Sequence, residues 1–204
     1  YSLQSEQAQR VVAFLELLER WGQRIRLSGS RDPRELAKRH LGDAFALHTA
    51  LLRCCDGLPT PPPCLDVGSG GGLPAFLLLA LDQRWPLTLV EARGRKAAFL
   101  RTAQFELASD AHIVVHDDRL EALLANASLP LPFGAAWSLA TFAPERWLEI
   151  AAPLVAPETG LVFAFIAGED LPHLGPELPL RLLESGRWAL DDGRPRLLGV
   201  YRHH

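Results

Sequence analysis

A chain of 204 residues suggests one compact α/β domain with a small helical extension. Its 48% hydrophobic content supplies a core that needs no disulfide or metal, and Cys54, Cys55 and Cys64 are odd in number and lack a Cys-x-x-Cys spacing. A net charge of −3, from 21 Lys+Arg against 24 Asp+Glu, excludes wholesale coating by nucleic acid but leaves room for a local basic patch.

The three thiols read as packing residues of a reducing compartment, so a cytoplasmic location is expected. No stretch is long and apolar enough to span a bilayer, and the start lacks a charged-then-apolar leader, so neither a membrane nor a metal partner is expected. Methionine is absent, position 1 included, which fits a trimmed chain. His203 and His204 are set aside as tag remnants.

Residues 6–27 have helical periodicity, with Val11, Phe14, Leu15, Leu18, Trp21 and Ile25 on one face. Asp32-Pro33-Arg34-Glu35 is a helix start, with Asp32 as cap, Pro33 in the first position and Glu35 reaching back. A further helix is expected over Leu41–Arg53. This region carries Arg20, Arg24, Arg26, Arg31, Arg34, Lys38 and Arg39 against Glu19, Asp32 and Glu35, either as a solvated face or as a phosphate-contacting cap. Pro59-Thr60-Pro61-Pro62-Pro63 is a stiff connector. It divides a helical cap over 1–58 from a larger domain over 64–204.

The stretch from Cys64 to Pro74 reads as a buried strand, a glycine turn and a helix start, with the helix continuing to Leu81. Gly68, Gly70 and Gly72 permit positive φ and close approach of a ligand, and the helix N-terminus behind them offers free N–H groups. A dinucleotide fingerprint needs glycine at 73, where Leu73 stands, and this disfavours a nicotinamide-dependent oxidoreductase. Asp66-x-Gly68-x-Gly70-x-Gly72 instead resembles motif I of the S-adenosylmethionine-dependent methyltransferases. The next strand, Leu87–Val90, ends in Glu91, an acid placed to accept ribose hydroxyls.

Beyond Glu91 the pattern alternates: helix Arg93–Leu107, strand Ala111–Val115, helix Arg119–Ala125, strand Ala135–Leu139, helix Glu145–Leu154 and an apolar strand Gly160–Ala167. Arg181–Leu190 and Leu197–Arg202 flank Asp191-Asp192-Gly193-Arg194, a hairpin turn. The expected fold is a doubly wound, mostly parallel α/β sheet closing in an antiparallel hairpin, with an N-terminal helical extension. His112 and His116 lack a third metal ligand. Asp117 or Asp118 is a candidate for an adenine amino group, and Trp137, Phe142 and Trp147 read as core rather than as base-stacking rings.

Several segments together resemble the bacterial small-subunit ribosomal RNA guanine-N7 methyltransferases, the glucose-inhibited division protein B family. They are Trp21–Ser28, Arg31-Asp32-Pro33, Arg39-His40-Leu41-Gly42-Asp43-Ala44, Asp66–Ala75, Gly94–Leu100 and Arg119-Leu120-Glu121-Ala122. The resemblance implies an S-adenosyl-L-methionine site at Asp66, Gly68, Ser69, Gly70, Gly72, Leu73, Glu91, Ala92, Leu120 and Glu121. It also implies a ribosomal RNA or small-subunit partner contacted by Arg26, Arg31, Arg39 and His40, and a monomer acting in RNA methylation. The chain departs from the family at Leu139, where the family has arginine, and at Ala167, where it has lysine. The alternatives are an S-adenosylmethionine-binding relative with lost or altered activity, and a small-molecule methyltransferase.

Overall fold

The computed structural model describes residues 2–30, 32–108 and 111–204. Helices α1 (Ser5–Gly22) and α2 (Pro33–Cys54) precede β1 (Cys64–Val67), α3 (Ala75–Leu81), β2 (Leu87–Val90), α4 (Gly94–Leu107) and β3 (Ile113–His116). Then come α5 (Leu120–Ala125), β4 (Ala135–Ser138), α6 (Pro144–Ala151) with a 3₁₀ turn at Ala152–Leu154, β5 (Leu161–Ile166), β6 (Leu180–Ala189) and β7 (Pro195–His203). The seven strands lie in the order β3-β2-β1-β4-β5-β7-β6. The pairs among β1 to β5 are parallel, whereas β7 runs antiparallel to both β5 and β6.

The order reverses between β1 and β4, which opens a crevice at the carboxyl ends of those strands. Strands β1, β2 and β4 are buried along their whole length, as covered parallel strands must be. On one face, Phe14, Leu17 and Leu18 of α1 and Leu47 and Leu51 of α2 join the same apolar cluster as Phe76 to Leu79 of α3. Phe14 stacks on Phe76 with ring centroids 5.4 Å apart. On the other face, Trp147 and Leu148 of α6 and Leu120 and Leu123 of α5 pack with Val67, Ala136 and Val162. Trp137 and Trp147 are core residues, and Trp147 Nε1 donates to the Phe163 carbonyl at 2.9 Å.

Several boundaries differ from the sequence expectation for local reasons. The first helix ends at Gly22, so Ile25 lies in the following loop rather than on the helical stripe. The second is one helix from Pro33 to Cys54, because the Leu41 region has no break to interrupt it. Asp32 does cap it, accepting from Arg34 N at 2.8 Å, but its own N–H donates to Ser30 Oγ at 3.2 Å while Glu35 faces Lys38. His203 and His204 are no loose tail: their N–H groups donate to Gly160 and Pro179 carbonyls at 3.0 and 3.1 Å, extending the β7 ladder. Cys64 is buried and Cys55 half-buried, and burial pushes the Cys55 thiol up to about 11. No helix among the described residues is long and apolar enough to cross a membrane.

Because α1, α2 and α3 share one core, we expect a single unfolding transition for the chain. Phe14→Ala should lower its stability by about 3–5 kcal/mol, as for other buried aromatics. Urea unfolding followed by two probes checks this, and an early transition confined to the N-terminal helices would contradict it.

Candidate functional site

The turn that follows β1 is organised by its own hydrogen bonds. Gly68 N–H and Ser69 N–H both donate to the Val90 carbonyl, at 2.8 and 3.1 Å, and Gly72 N–H donates to the Ser69 carbonyl at 2.7 Å. Gly70 has φ +58, a conformation that glycine adopts without strain. Its N–H donates to Glu91 Oε2 at 2.8 Å, while Glu91 Oε1 accepts from Arg93 N–H at 2.8 Å. One carboxylate therefore ties the β1 turn to the start of α4. Each oxygen keeps a second lone-pair site, so the acid can accept hydroxyl donors as well.

A crevice of about 550 Å³ opens above this turn. Its floor is Gly68 to Gly71 and Leu73, and one wall is Glu91, Ala92, Arg93 and Lys96. The facing wall is Leu139, Ala140 and Thr141 after β4, and the rim is Leu27, Ser28, Gly29 and His40. A Cβ at Gly68 would collide with the Thr141 side chain, so that glycine is needed for close approach. At Gly70 the nearest atoms, the Gly68 carbonyl oxygen and Lys96 Nζ, lie 3.7 Å from a Cβ position, so this residue faces the open crevice.

Beneath the floor, Asp66 is buried and neither carboxylate oxygen has a hydrogen-bond partner among the described residues. Burial pushes its carboxyl from the usual 3.8 up to about 8. Trp137 and Ser69 pull the other way, but Trp137 Nε1 closes no hydrogen bond and Ser69 Oγ donates to the Asp66 carbonyl at 3.0 Å instead. Ser138 Oγ donates to the Val67 carbonyl at 2.8 Å, pinning β4 to β1 at the crevice mouth. On the rim, His40 Nδ1 lies 3.3 Å from Oδ2 of the buried Asp43.

The sequence candidates therefore divide. Gly68, Ser69, Gly70, Leu73, Glu91, Ala92 and His40 line the crevice together. Asp66 is buried in β1 and Gly72 in the turn, both below the crevice, Leu120 packs in the core behind it, and Glu121 is exposed on α5, outside its lining. Arg26 lines a smaller adjoining hollow. Arg39 lies in a separate depression with Asp191, Asp192 and Arg194, because α2 turns that side toward the β6–β7 hairpin. Arg31 lies outside the described residues. Asp117 faces Arg101 at 3.7 Å and Asp118 Oδ1 accepts from Arg119 N–H at 2.7 Å, and neither lines the crevice. Leu139 does stand on the wall, whereas Ala167 is exposed beyond β5 and outside it. Sequence reasoning missed Lys96 and Thr141 as lining residues. Lys96 lies in the first turn of α4, a placement that the helix start at Gly94 foretells.

A family model described as rRNA small subunit methyltransferase G, GidB, matches residues 7–165. This chain belongs to that family. A ribosomal RNA small subunit methyltransferase G of Leptothrix cholodnii is 34% identical over 155 residues, which are 76% of this chain and 67% of the relative. The protein of that name from Chromohalobacter salexigens is 31% identical over 175 residues, 84% of this chain and 77% of the relative. Matches to Pseudomonas putida relatives of the same name span about half of their length, 52%. Among solved structures, magnesium protoporphyrin IX methyltransferase from Synechocystis with bound SAM superposes with a TM-score of 0.60 at 14% identity, over 99% of both chains. TrmN from Thermus thermophilus gives a TM-score of 0.51 at 18% identity, over 82% of this chain and 53% of that one. These two share the fold, a doubly wound sheet ending in an antiparallel hairpin.

The Asp66 carboxyl yields a signed pH prediction. Between about pH 4 and 8 the unfolded chain has lost this proton and the folded chain retains it, so stability falls as pH rises through that window. Asp66→Asn should flatten the fall by up to about 1.4 kcal/mol per pH unit. Urea unfolding of both proteins at pH 5 and pH 7.5 measures it, and equal slopes would contradict it.

Proposed function

We propose that this chain transfers a methyl group from S-adenosylmethionine to N7 of a guanosine in small-subunit ribosomal RNA. The observation that carries the reading is the crevice, where the Gly68–Leu73 turn is locked to Glu91 beneath an open Gly70, in a member of the GidB family. The residues fit the cofactor. Glu91 offers lone pairs to a ribose, and the floor at Gly70 has no side chain to exclude an elongated ligand. Bound there, S-adenosylmethionine supplies an electrophilic methyl on a sulfonium. Guanine N7 presents a lone pair and no proton, so the site needs no general base and positioning carries most of the acceleration. Leu27 to Gly29 and His40 border the side on which the acceptor base enters. The base is taken out of its stack to reach the crevice. We assign the cytoplasm as its place of action, the N-terminal helices as the substrate-facing cap, and a monomer as the working form.

Leu139 favours a second reading, a relative with altered activity. It places an apolar side chain on the crevice wall where the resemblance implies a guanidinium. Loss of a charged contact to substrate costs about 1.5–3 kcal/mol, or one to two orders of magnitude in rate.

Titration calorimetry with S-adenosylhomocysteine tests cofactor binding, and NADH binding in its place would refute the reading. Glu91→Gln should weaken the S-adenosylhomocysteine affinity by about 1–3 kcal/mol. An unchanged affinity would show that Glu91 serves the turn alone. Small subunits lacking the modification, labelled S-adenosylmethionine and mass mapping of the product identify the acceptor. Wild type should methylate the guanosine slowly and Leu139→Arg faster; full wild-type turnover, matched by Leu139→Arg, would refute the second reading.

A further inference from the structure

The basic run between Arg20 and Arg39 does not form one surface. Arg20 is paired with Glu106 at 2.8 Å, Lys38 lies between Glu35 and Asp191 at 3.7 and 4.0 Å, and Arg39 belongs to the depression by the hairpin. Arg24 lines a groove of about 650 Å³ between the end of α1 and helix α4. Arg95 stands in the same lining, with Trp21, Ile25 and Ala98 as its apolar surface. Trp21 is half-buried and meets Phe99 edge-on at 5.7 Å. The Arg20–Glu106 pair belongs to the same lining.

Exposed arginines elsewhere divide: Arg84 meets Asp82 and Arg146 meets Glu149, each at 2.7 Å, and Arg194 meets Asp192 at 2.6 Å, whereas Arg34, Arg119 and Arg181 have no ion pair among the described residues. The guanidinium groups of Arg24, Arg26, Arg93 and Arg95 have no carboxylate within ion-pair distance among the described residues. The groove also neighbours the crevice through a shared hollow. Ile25 lines both the groove and a hollow formed by Gly22 and the run from Ile25 to Ser30, and Leu27, Ser28 and Gly29 of that hollow also form the crevice rim.

We propose that this groove holds the RNA strand flanking the acceptor nucleotide, with Arg24 and Arg95 on phosphates and a base against Trp21. The inference rests on the RNA methyltransferase reading and gives its substrate a path. Two unpaired guanidinium forks sharing a lining with an apolar aromatic surface match a single strand, which offers phosphates and a stacking base together. An acidic protein surface would satisfy the arginines but would leave Trp21 and Ile25 without a matching face.

The test uses the full chain, unmodified small-subunit ribosomal RNA and the same RNA assembled into subunits. Arg24→Ala/Arg95→Ala should lower the slope of log affinity against log salt by about 1.4 on naked RNA, the value for two phosphate contacts on a single strand. Its S-adenosylhomocysteine affinity should equal that of wild type. Trp21→Leu, which keeps apolar contact with Phe99, should lose several-fold RNA affinity with the slope unchanged. Arg84→Ala/Arg146→Ala is the control for net charge. An unchanged slope in Arg24→Ala/Arg95→Ala while wild type binds RNA would overturn the groove and leave the methyltransferase reading standing. An equal drop in the control would also overturn it, as would a loss seen with assembled subunits and not with naked RNA, which would mark a protein contact. Wild type that binds S-adenosylhomocysteine and no RNA would overturn the groove and the RNA reading together.

Discussion

The Glu91 carboxylate is the tie on which the crevice depends. Its two oxygens accept from Gly70 N–H and Arg93 N–H, so the turn after β1 and the start of α4 are held by one side chain at the end of β2. Both donors are backbone amides at places where a helix or a tight turn leaves them unpaired. Satisfying them with an acid orders the floor and one wall of the crevice at the same time. The ligand-facing lone pairs are then fixed in direction before any ligand arrives, which is the economy of a preorganised site.

The rim of the crevice is held by packing, and the facing wall by packing together with side-chain hydrogen bonds. Leu27 is buried, and its carbonyl oxygen lies 3.0 Å from where a Cβ on Gly71 would stand. The loop after α1 thus rests directly on the glycine turn. Since α1 and α2 share their apolar cluster with α3, the rim and the floor of the crevice belong to one body of core. The facing wall comes from the other cluster through β4, with Ser138 and Thr141 reaching across to the carbonyls of Val67 and Gly68 at 2.8 and 3.3 Å.

Much of this was legible in the sequence, because periodic apolar runs and turn chemistry act locally. The strand Leu87–Val90, the turn at Gly68, Gly70 and Gly72 with positive φ, and the closing hairpin all follow from nearest-neighbour physics. What the sequence hid was pairing at a distance. Arg20 and Arg24 look alike in a basic run, yet one meets Glu106 across the fold and the other meets no acid among the described residues. Arg39 and His40 are neighbours in the chain, but the helix sends one to the hairpin and the other to the crevice. Helical rotation of about 100° per residue separates such pairs, and only the tertiary contacts decide which side is the site.

The glycines of the turn answer to the protein before they answer to a ligand. Thr141 occupies the place of a Cβ on Gly68, and a Cβ on Gly72 would come within 2.6 Å of the Phe76 ring. Either residue would be required for the sheet and α3 to meet even in a chain that had stopped binding a cofactor. Presence of the motif therefore certifies the architecture, and decay of catalysis in a lineage of this fold would leave it standing. Gly70 faces open space but is held to glycine by its positive φ, so the lining position free to drift is Leu139 on the wall, and a history of use or disuse is written there.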